Sequence, residues 1–289
     1  MAFVSMDDII SEIAAGKIYR MPFIKVVNTG ATSAASRWHE ALAGVGTGGP
    51  MTLTGSAGVG VALSSATAGC IPLNSDVTPD TRNLVAMSAI TPATTMVPGY
   101  IILTDLLYMY PSCVVTTGAG TTLNNGASKP TRHNSGIGAM VSAFVVGAVG
   151  ATSPIITMTY INSTPTGSRT GYLRAPMASS IVGLGWGGGT AASPVGPYME
   201  MNAGDSGVSE LTSYSTASGT TGTVTFIIHR PIATIPIVLA NTAGERDFLF
   251  GTPTLPKIDD GACLGMMVLI GGALTAGQVI CGELAMAWG

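Results

Sequence analysis

Apolar and polar residues alternate with a period of two along much of this chain. Met51 and Leu53 alternate with Thr52 and Thr54, and Val59, Val61 and Leu63 repeat at every second position. Ile156, Met158 and Tyr160 alternate with Thr157 and Thr159, and Val224, Phe226 and Ile228 with Thr223, Thr225 and Ile227. Near the C-terminus Ile280, Leu284, Met286 and Trp288 share one face. A period of two puts such residues on one side of a β-strand. Clusters of Gly, Pro, Asn and Ser separate the runs, among them Asn124-Asn125-Gly126, Ser163–Ser168 and Ser218–Gly222, and these predict turns. Many short strands punctuated in this way predict an all-β body, an antiparallel sandwich or jelly-roll-like fold.

The first residues follow a different period. Ser5 is a helix cap, Asp7 and Asp8 occupy a first turn where negative charge suits the dipole, and Ile9, Ile10, Ile13 and Ala14 form a stripe at helical spacing. Gly16 can end the helix. The expected organisation is therefore a short N-terminal helix with an extended arm over residues 1–27, then a β-sandwich body over 28–289. The Gly-rich stretch Gly183–Gly196 is a candidate long loop, dividing the body into two β halves near 183–197. The helix at Ser5–Ala15 and the arm at Met21–Val27 are the segments expected to reach a neighbouring subunit.

Composition turns this fold into a statement about assembly. Charged residues make up 9% of the 289 positions, against about 25% in ordinary soluble domains. Mean hydropathy is +0.46. Membrane spans would explain such values, and the best candidates are Gly136–Gly150 and Leu264–Ile280. The first is short and glycine-rich, the second is broken by Gly271-Gly272, Thr275, Gly277 and Gln278, and neither carries flanking basic clusters. No membrane partner is expected. Burial of uncharged strands in permanent subunit contacts accounts for the composition, since such contacts are large and apolar. A closed homo-oligomer, with a trimer as first expectation, also protects strand edges.

The net charge of −3 comes without a basic patch, so no direct nucleic-acid binding is expected. Asp7, Asp8 and Glu12 stand where a secretion signal would be basic, so the chain is expected to be made in a cytoplasm. Cys70, Cys113, Cys263 and Cys281 share no metal-ligand spacing and read as buried small hydrophobes.

Several motifs suggest chemistry without completing it. Gly204-Asp205-Ser206-Gly207 matches the nucleophile signature of chymotrypsin-like proteases, but no histidine lies in the context a base needs. A serine hydrolase using Ser206 is the enzymatic alternative, and a tight polar turn is the reading preferred. Gly183–Gly189 lacks the following helix that a phosphate-cradling loop requires. His39, His133 and His229 show no paired metal spacing, and Asp205, Asp259 and Asp260 lack a calcium-loop pattern. The sequon at Asn162-Ser163-Thr164 and the scattered Trp38, Trp186 and Trp288 carry no further function. Glu245-Arg246-Asp247, with Lys257, Asp259 and Asp260, forms an unusually charged region for this chain, suited to pairings at a loop or subunit contact. No catalytic, cofactor-binding or metal-binding residue is assigned, and no cofactor is expected.

The order of segments in the last third adds a resemblance. Ala203–Val208, then Val224–Ile228 leading into His229-Arg230-Pro231, then Glu245-Arg246-Asp247, then Asp259–Leu264 resembles virion structural proteins of tailed bacteriophages encoded among head and neck genes. The resemblance implies a β-sandwich subunit on the capsid or neck, such as a decoration protein or head-fibre base. Its partners would be further copies of itself and other virion proteins, such as the major capsid or neck proteins. A receptor- or glycan-binding tail or fibre module is the alternative within the same setting. No functional residue carries over, because such proteins act through contact area.

Overall fold

The computed structural model describes residues 3, 5–27, 33, 35–116, 118–125, 130, 132–150, 155–164, 167–174, 182–188, 196–216, 221–251, 254–274 and 277–289. These form helix α1 (Met6–Ala14), then strands β1 (Ile18–Val27), β2 (Arg37–Glu40), β3 (Val61–Ala62), β4 (Arg82–Ile90), β5 (Gly99–Val114), β6 (Gly118–Thr122), β7 (Met140–Gly147) and β8 (Ile155–Asn162). Strands β9 (Ser168–Arg174), β10 (Gly185–Gly188), β11 (Val208–Thr216), β12 (Thr223–Ile237) and β13 (Gly244–Asp247) come next, then helix α2 (Phe248–Gly251), β14 (Lys257–Ile258), β15 (Cys263–Ile270) and β16 (Gln278–Trp288). The fold is all-β, its strand ladders antiparallel, with one short N-terminal helix as the alternation predicts.

Two sheets result. The smaller runs β1-β16-β4-β13, with β14 also on β4; the larger runs β2-β15-β5-β12-β7-β10-β9-β8-β11-β6, with β3 also on β5. The long strands β5 and β12 pair from Gly99↔Ile237 to Val114↔Thr223 and belong to two cores. Their first halves, through Ile101, Leu103, Ile235 and Ile237, pack with β15 against the inner face of the smaller sheet at Phe23, Met87 and Leu284. Their second halves, through Tyr108, Tyr110, Val224 and Phe226, pack with β7 against Met158, Tyr160 and Leu211. The opposite face of the central strands, with Ile102, Met109 and Ile227, is covered by Leu42, Met51, Leu53 and Leu63. From Ile101 to Pro111, β5 is consequently buried at every position.

Helix α1 is capped as its sequence dictates. The Ser5 hydroxyl accepts the Asp8 N–H at 3.1 Å, and the Asp8 carboxylate accepts the Ser5 N–H at 3.1 Å. Gly16 follows with φ +86°, a conformation that favours glycine. The helix lies on its own chain: Phe3 and Ile13 pack against Val85, Ala285 and Ala287 on the outer face of the smaller sheet.

The structure corrects several expectations. Met21–Val27 is no free arm: it forms most of β1, paired with β16 from Ile18↔Ala287 to Val27↔Gln278. Its other side is partly covered too, since Val26 N–H donates to Val45 O at 3.1 Å and Thr47 N–H to Ile24 O at 2.7 Å. Met51–Thr54 alternates in burial as predicted but forms no strand, because it lies over the central strands without a ladder partner. The run at Val59–Leu63 yields only the two-residue β3. Within Gly183–Gly196 the segment Gly185–Gly188 is strand β10, held between β7 and β9; residues 189–195 lie outside the described residues. Cys70 and Cys263 are joined in a disulfide across 193 residues, with Cα atoms 5.1 Å apart, while Cys113 and Cys281 are free. The backbone bridge Ile71↔Leu264 sets those two cysteines opposite one another, a juxtaposition that no sequence spacing reveals. No helix among the described residues is long and apolar enough to cross a membrane.

Two ionisable groups are buried, Lys25 on β1 and Glu40 on β2. Lys25 and Glu40 have no exposed surface. The Lys25 ammonium donates to the Gly69 carbonyl at 2.5 Å, and the Glu40 carboxylate accepts the N–H groups of Leu42 and Ala43. Burial pushes the Glu40 carboxyl up to about 7 and the Lys25 ammonium down to about 8, each partly countered by the other's charge. A carboxyl raised in the folded state contributes stability that is fully present below its ordinary value of 4.5 and is lost as pH rises through about 7. Lys25 acts in a separate window: its contribution is present above 10.5 and is lost as pH falls through about 8. Urea midpoints measured between pH 4.5 and 7 should therefore fall more steeply for the native chain than for Glu40→Gln. Identical profiles would show that Glu40 is not the group responsible.

Candidate functional site

The described residues concentrate ionisable side chains at one place, where β5 and β12 pass from the first core to the second. Asp105 on β5 is buried. Arg132, from the segment between β6 and β7, meets it with two donors: Nε to Oδ2 at 3.2 Å and Nη2 to Oδ1 at 2.8 Å. The same guanidinium donates to the carbonyls of Leu63 and Leu106, at 2.8 and 2.9 Å. The Cys263 N–H donates to Asp105 Oδ1 at 3.0 Å. This one contact therefore ties β5, β15 and two loops together. Burial raises the Asp105 carboxyl above its ordinary value, and Arg132 offsets part of that rise.

A second tier lies toward solvent. His133 Nε2 is 2.7 Å from Asp259 Oδ2 and 2.6 Å from Arg230 Nη1. Lys257 Nζ is 3.0 Å from Asp259 Oδ1, and Arg230 Nη2 donates to the Lys257 carbonyl at 3.1 Å. Hydrogen bonding from His133, then from Lys257, holds the Asp259 carboxyl well below the usual range. A ring nitrogen carries either a hydrogen or a lone pair. With Nε2 carrying the hydrogen, His133 donates to Asp259 while its Nδ1, 3.3 Å from Arg230 Nη1, accepts from the guanidinium. The cluster floors an open depression of about 570 Å³, lined by Ser64, Arg132, His133, Lys257, Asp259 and Gly261.

Asp105, His133 and Asp259 bring potential ligand atoms within 4.8 Å of one another. The surroundings do not suit a metal ion. Both Asp105 oxygens already accept from Arg132, and Arg230 and Lys257 set two further cations against the other two groups. The donor set is that of a salt-bridge network, whose chemistry is to hold loops in place.

The remaining candidate residues are dispersed. The Ser206 hydroxyl pairs with that of Ser163 at 2.7 Å. Asp205 accepts from Tyr160 at 2.5 Å and Asn162 at 2.7 Å, with Arg169 at 3.6 Å, so the motif is a polar turn bracing β8. No histidine ring serves Ser206 as a partner among the described residues. His39 bonds the Ser33 hydroxyl at 2.7 Å; His229 bonds Thr104 at 2.7 Å and Ser142 at 2.9 Å. Burial pushes His39 down to about 4 and His229 to about 3, which keeps both neutral near pH 7. Asp260 is a loop clamp: it accepts from the Val77 and Thr78 N–H groups and the Thr78 hydroxyl, and faces the buried Arg82 at 3.3 Å. Asn162 of the sequon is buried. The side chain of Trp186 lies outside the described residues. Sequence reasoning missed Asp105; the available signal was a lone carboxylate inside the apolar run Tyr100–Tyr110.

No family model matches the chain, and no curated protein matches it. Among solved structures it is similar to Trichodysplasia spinulosa-associated polyomavirus VP1 in complex with sialylated precision glycooligomers, at 9% identity over 94% of each chain and a TM-score of 0.24. It is also similar to the infectious bursal disease virus VP2 subviral particle, at 8% identity over 93% of this chain and 80% of that one, with a TM-score of 0.18. Both neighbours are viral capsid proteins, and at such scores neither likeness carries a functional argument.

Removing one partner of a buried ion pair costs more than the pair contributes, because the other charge stays behind. Asp105→Asn should lower the unfolding free energy by about 3–5 kcal/mol, read from urea denaturation. A loss below about 1 kcal/mol, the scale of an exposed pair, would contradict the structural role assigned to this contact.

Proposed function

We propose that this chain is a non-enzymatic structural subunit of a bacteriophage particle, stabilising the head or neck through contacts with copies of itself and with neighbouring virion proteins. The observation that carries the reading is the poverty of surface charge. Twelve basic and fifteen acidic residues serve 289 positions, and Lys25, Glu40, Arg82 and Asp105 are withdrawn into the interior. What remains falls well short of the roughly 25–35% charge typical of a monomer's surface. Large apolar side chains stand in solvent instead: Ile24 is 50% exposed, Val45 64%, Ile137 63%, Val238 63%, Leu239 61% and Phe250 82%. Their dispersal over several loops and strands suits burial by several neighbours. The order of motifs in the last third, which resembles tailed-phage virion proteins, supports a phage setting. The ionic cluster around Asp105 fits this role as a rigid brace.

Light scattering on the purified chain tests the oligomer. The expected mass is a multiple of 29.1 kDa, with three copies as the first expectation. A stable monomer across concentrations at physiological salt would count decisively against the subunit reading. The hydrolase alternative has its own test. Ser206→Ala should leave ester and peptide hydrolysis at the background of the native chain, and a loss of measurable activity in the variant would restore it.

A further inference from the structure

One extended segment of the chain has no ladder. Met51–Thr54 lies over β5 and β12, with Met51 and Leu53 buried and Thr52 and Thr54 exposed. Along an extended segment the backbone groups alternate between two edges, as the side chains alternate between two faces. The edge shared by Met51 and Leu53 is engaged: the Met51 N–H donates to the Leu42 carbonyl at 2.9 Å, and the Leu53 carbonyl accepts the Thr225 hydroxyl at 2.6 Å. The other edge carries the N–H and C=O groups of Thr52 and Thr54. Among the described residues none of these groups has a backbone hydrogen-bond partner. Beside them is an open recess of about 360 Å³, lined by Thr52, Thr54, Val59, Val61 and Met109 among others. Val61, on β3, is 44% exposed.

Backbone donors and acceptors need partners, and an unpaired edge takes an added strand. This segment is complementary to itself. Across a two-fold axis beside Leu53, Thr52 stands opposite Thr54 of the partner subunit, and Thr54 opposite Thr52 of the partner subunit. Antiparallel residues in a hydrogen-bonded pair exchange both N–H···O contacts, so this one register satisfies every free group of Thr52 and Thr54 in both copies. It also sets threonine against threonine on the exposed face, a favourable cross-strand pairing. In such a contact the same patch faces itself, so any charge on it is repelled by its own copy. No ionisable side chain lines this recess. The outer face of the smaller sheet, by contrast, carries Arg20, Glu283, Glu245 and Asp247.

We propose that Met51–Thr54 is a two-fold contact between copies of this chain, in which the two segments pair as antiparallel strands. The proposal rests on the subunit reading for the presence of a second copy. It makes the copy number even: a dimer by this contact alone, and a dimer of trimers where a three-fold contact also forms. Its test uses the whole chain with charges placed on the two exposed threonines. Thr52→Lys with Thr54→Lys sets like charges face to face, as does Thr52→Glu with Thr54→Glu, and each variant alone should halve the mass read by light scattering. Mixing the two variants in equal amounts should restore the native mass, because lysine then faces glutamate. Thr94→Lys with Thr95→Lys, at exposed positions before β5, should leave the mass unchanged. Circular dichroism matching that of the native chain shows that the variants fold. In the native chain, the Thr52 and Thr54 amides should be protected from hydrogen exchange at high concentration and exchange rapidly on dilution. An oligomer whose mass survives both charged variants overturns the proposal and spares the subunit reading, whereas a monomeric native chain overturns both. Failure of the mixture to restore the mass, equal loss in the Thr94 and Thr95 variant, or amide exchange independent of concentration also overturns it.

Discussion

Every layer of this structure is registered on the pairing of β5 with β12. The two strands run side by side from Gly99↔Ile237 to Val114↔Thr223 and contribute side chains to both cores. Their separation in sequence makes the pairing costly to close entropically, and the burial of apolar residues on both faces offsets that cost. Because β5 has no solvent face over most of its length, it could not exist as a strand until the smaller sheet and the 41–71 segment cover it. The ionic contact of Arg132 with Asp105 sits at the midpoint of this spine, and the disulfide of Cys70 with Cys263 lies directly beside it through the Cys263 N–H. Both fasten the covering loops to the strands they cover.

Charge is scarce, and the structure uses much of it internally. Lys25 ties β1 to the Gly69 carbonyl, Glu40 caps the turn at Leu42 and Ala43, Arg82 with Asp260 fixes the 74–78 loop, and Arg132 with Asp105 pins two further segments. Buried ionic contacts of this kind add little net stability compared with apolar packing, but leaving one partner unpaired is expensive. They act as registration points, penalising any packing that separates them. The surface is left with hydroxyls, apolar side chains and few ions.

The histidines and the GDSG motif show how a site can look different in one dimension and in three. His229 and His39 belong to buried hydroxyl networks, and Asp205 braces Tyr160 and Asn162. In contrast, Arg132, His133, Arg230, Lys257 and Asp259 come from distant segments and converge on Asp105. The charged character of Lys257–Asp260 was legible from composition. Its convergence with Arg132 and His133 was not, because the segments meet only when β5 and β12 pair.

What the sequence by itself determined is whatever depends on near neighbours along the chain. The capping box at Ser5 and Asp8, the half-buried strands β8 and β16, the all-β class and the shortage of charge come from local period and composition. What only the tertiary structure decided is whatever depends on residues far apart. It made Met51–Thr54 a cover and not a strand, turned Gly185–Gly188 into one, drew Met21–Val27 into a sheet, and set Cys70 against Cys263. The physical reason is that a strand needs a partner edge to satisfy its backbone. Which segments find that edge is settled by the packing of the whole chain, and the alternation of side chains records only which face is buried.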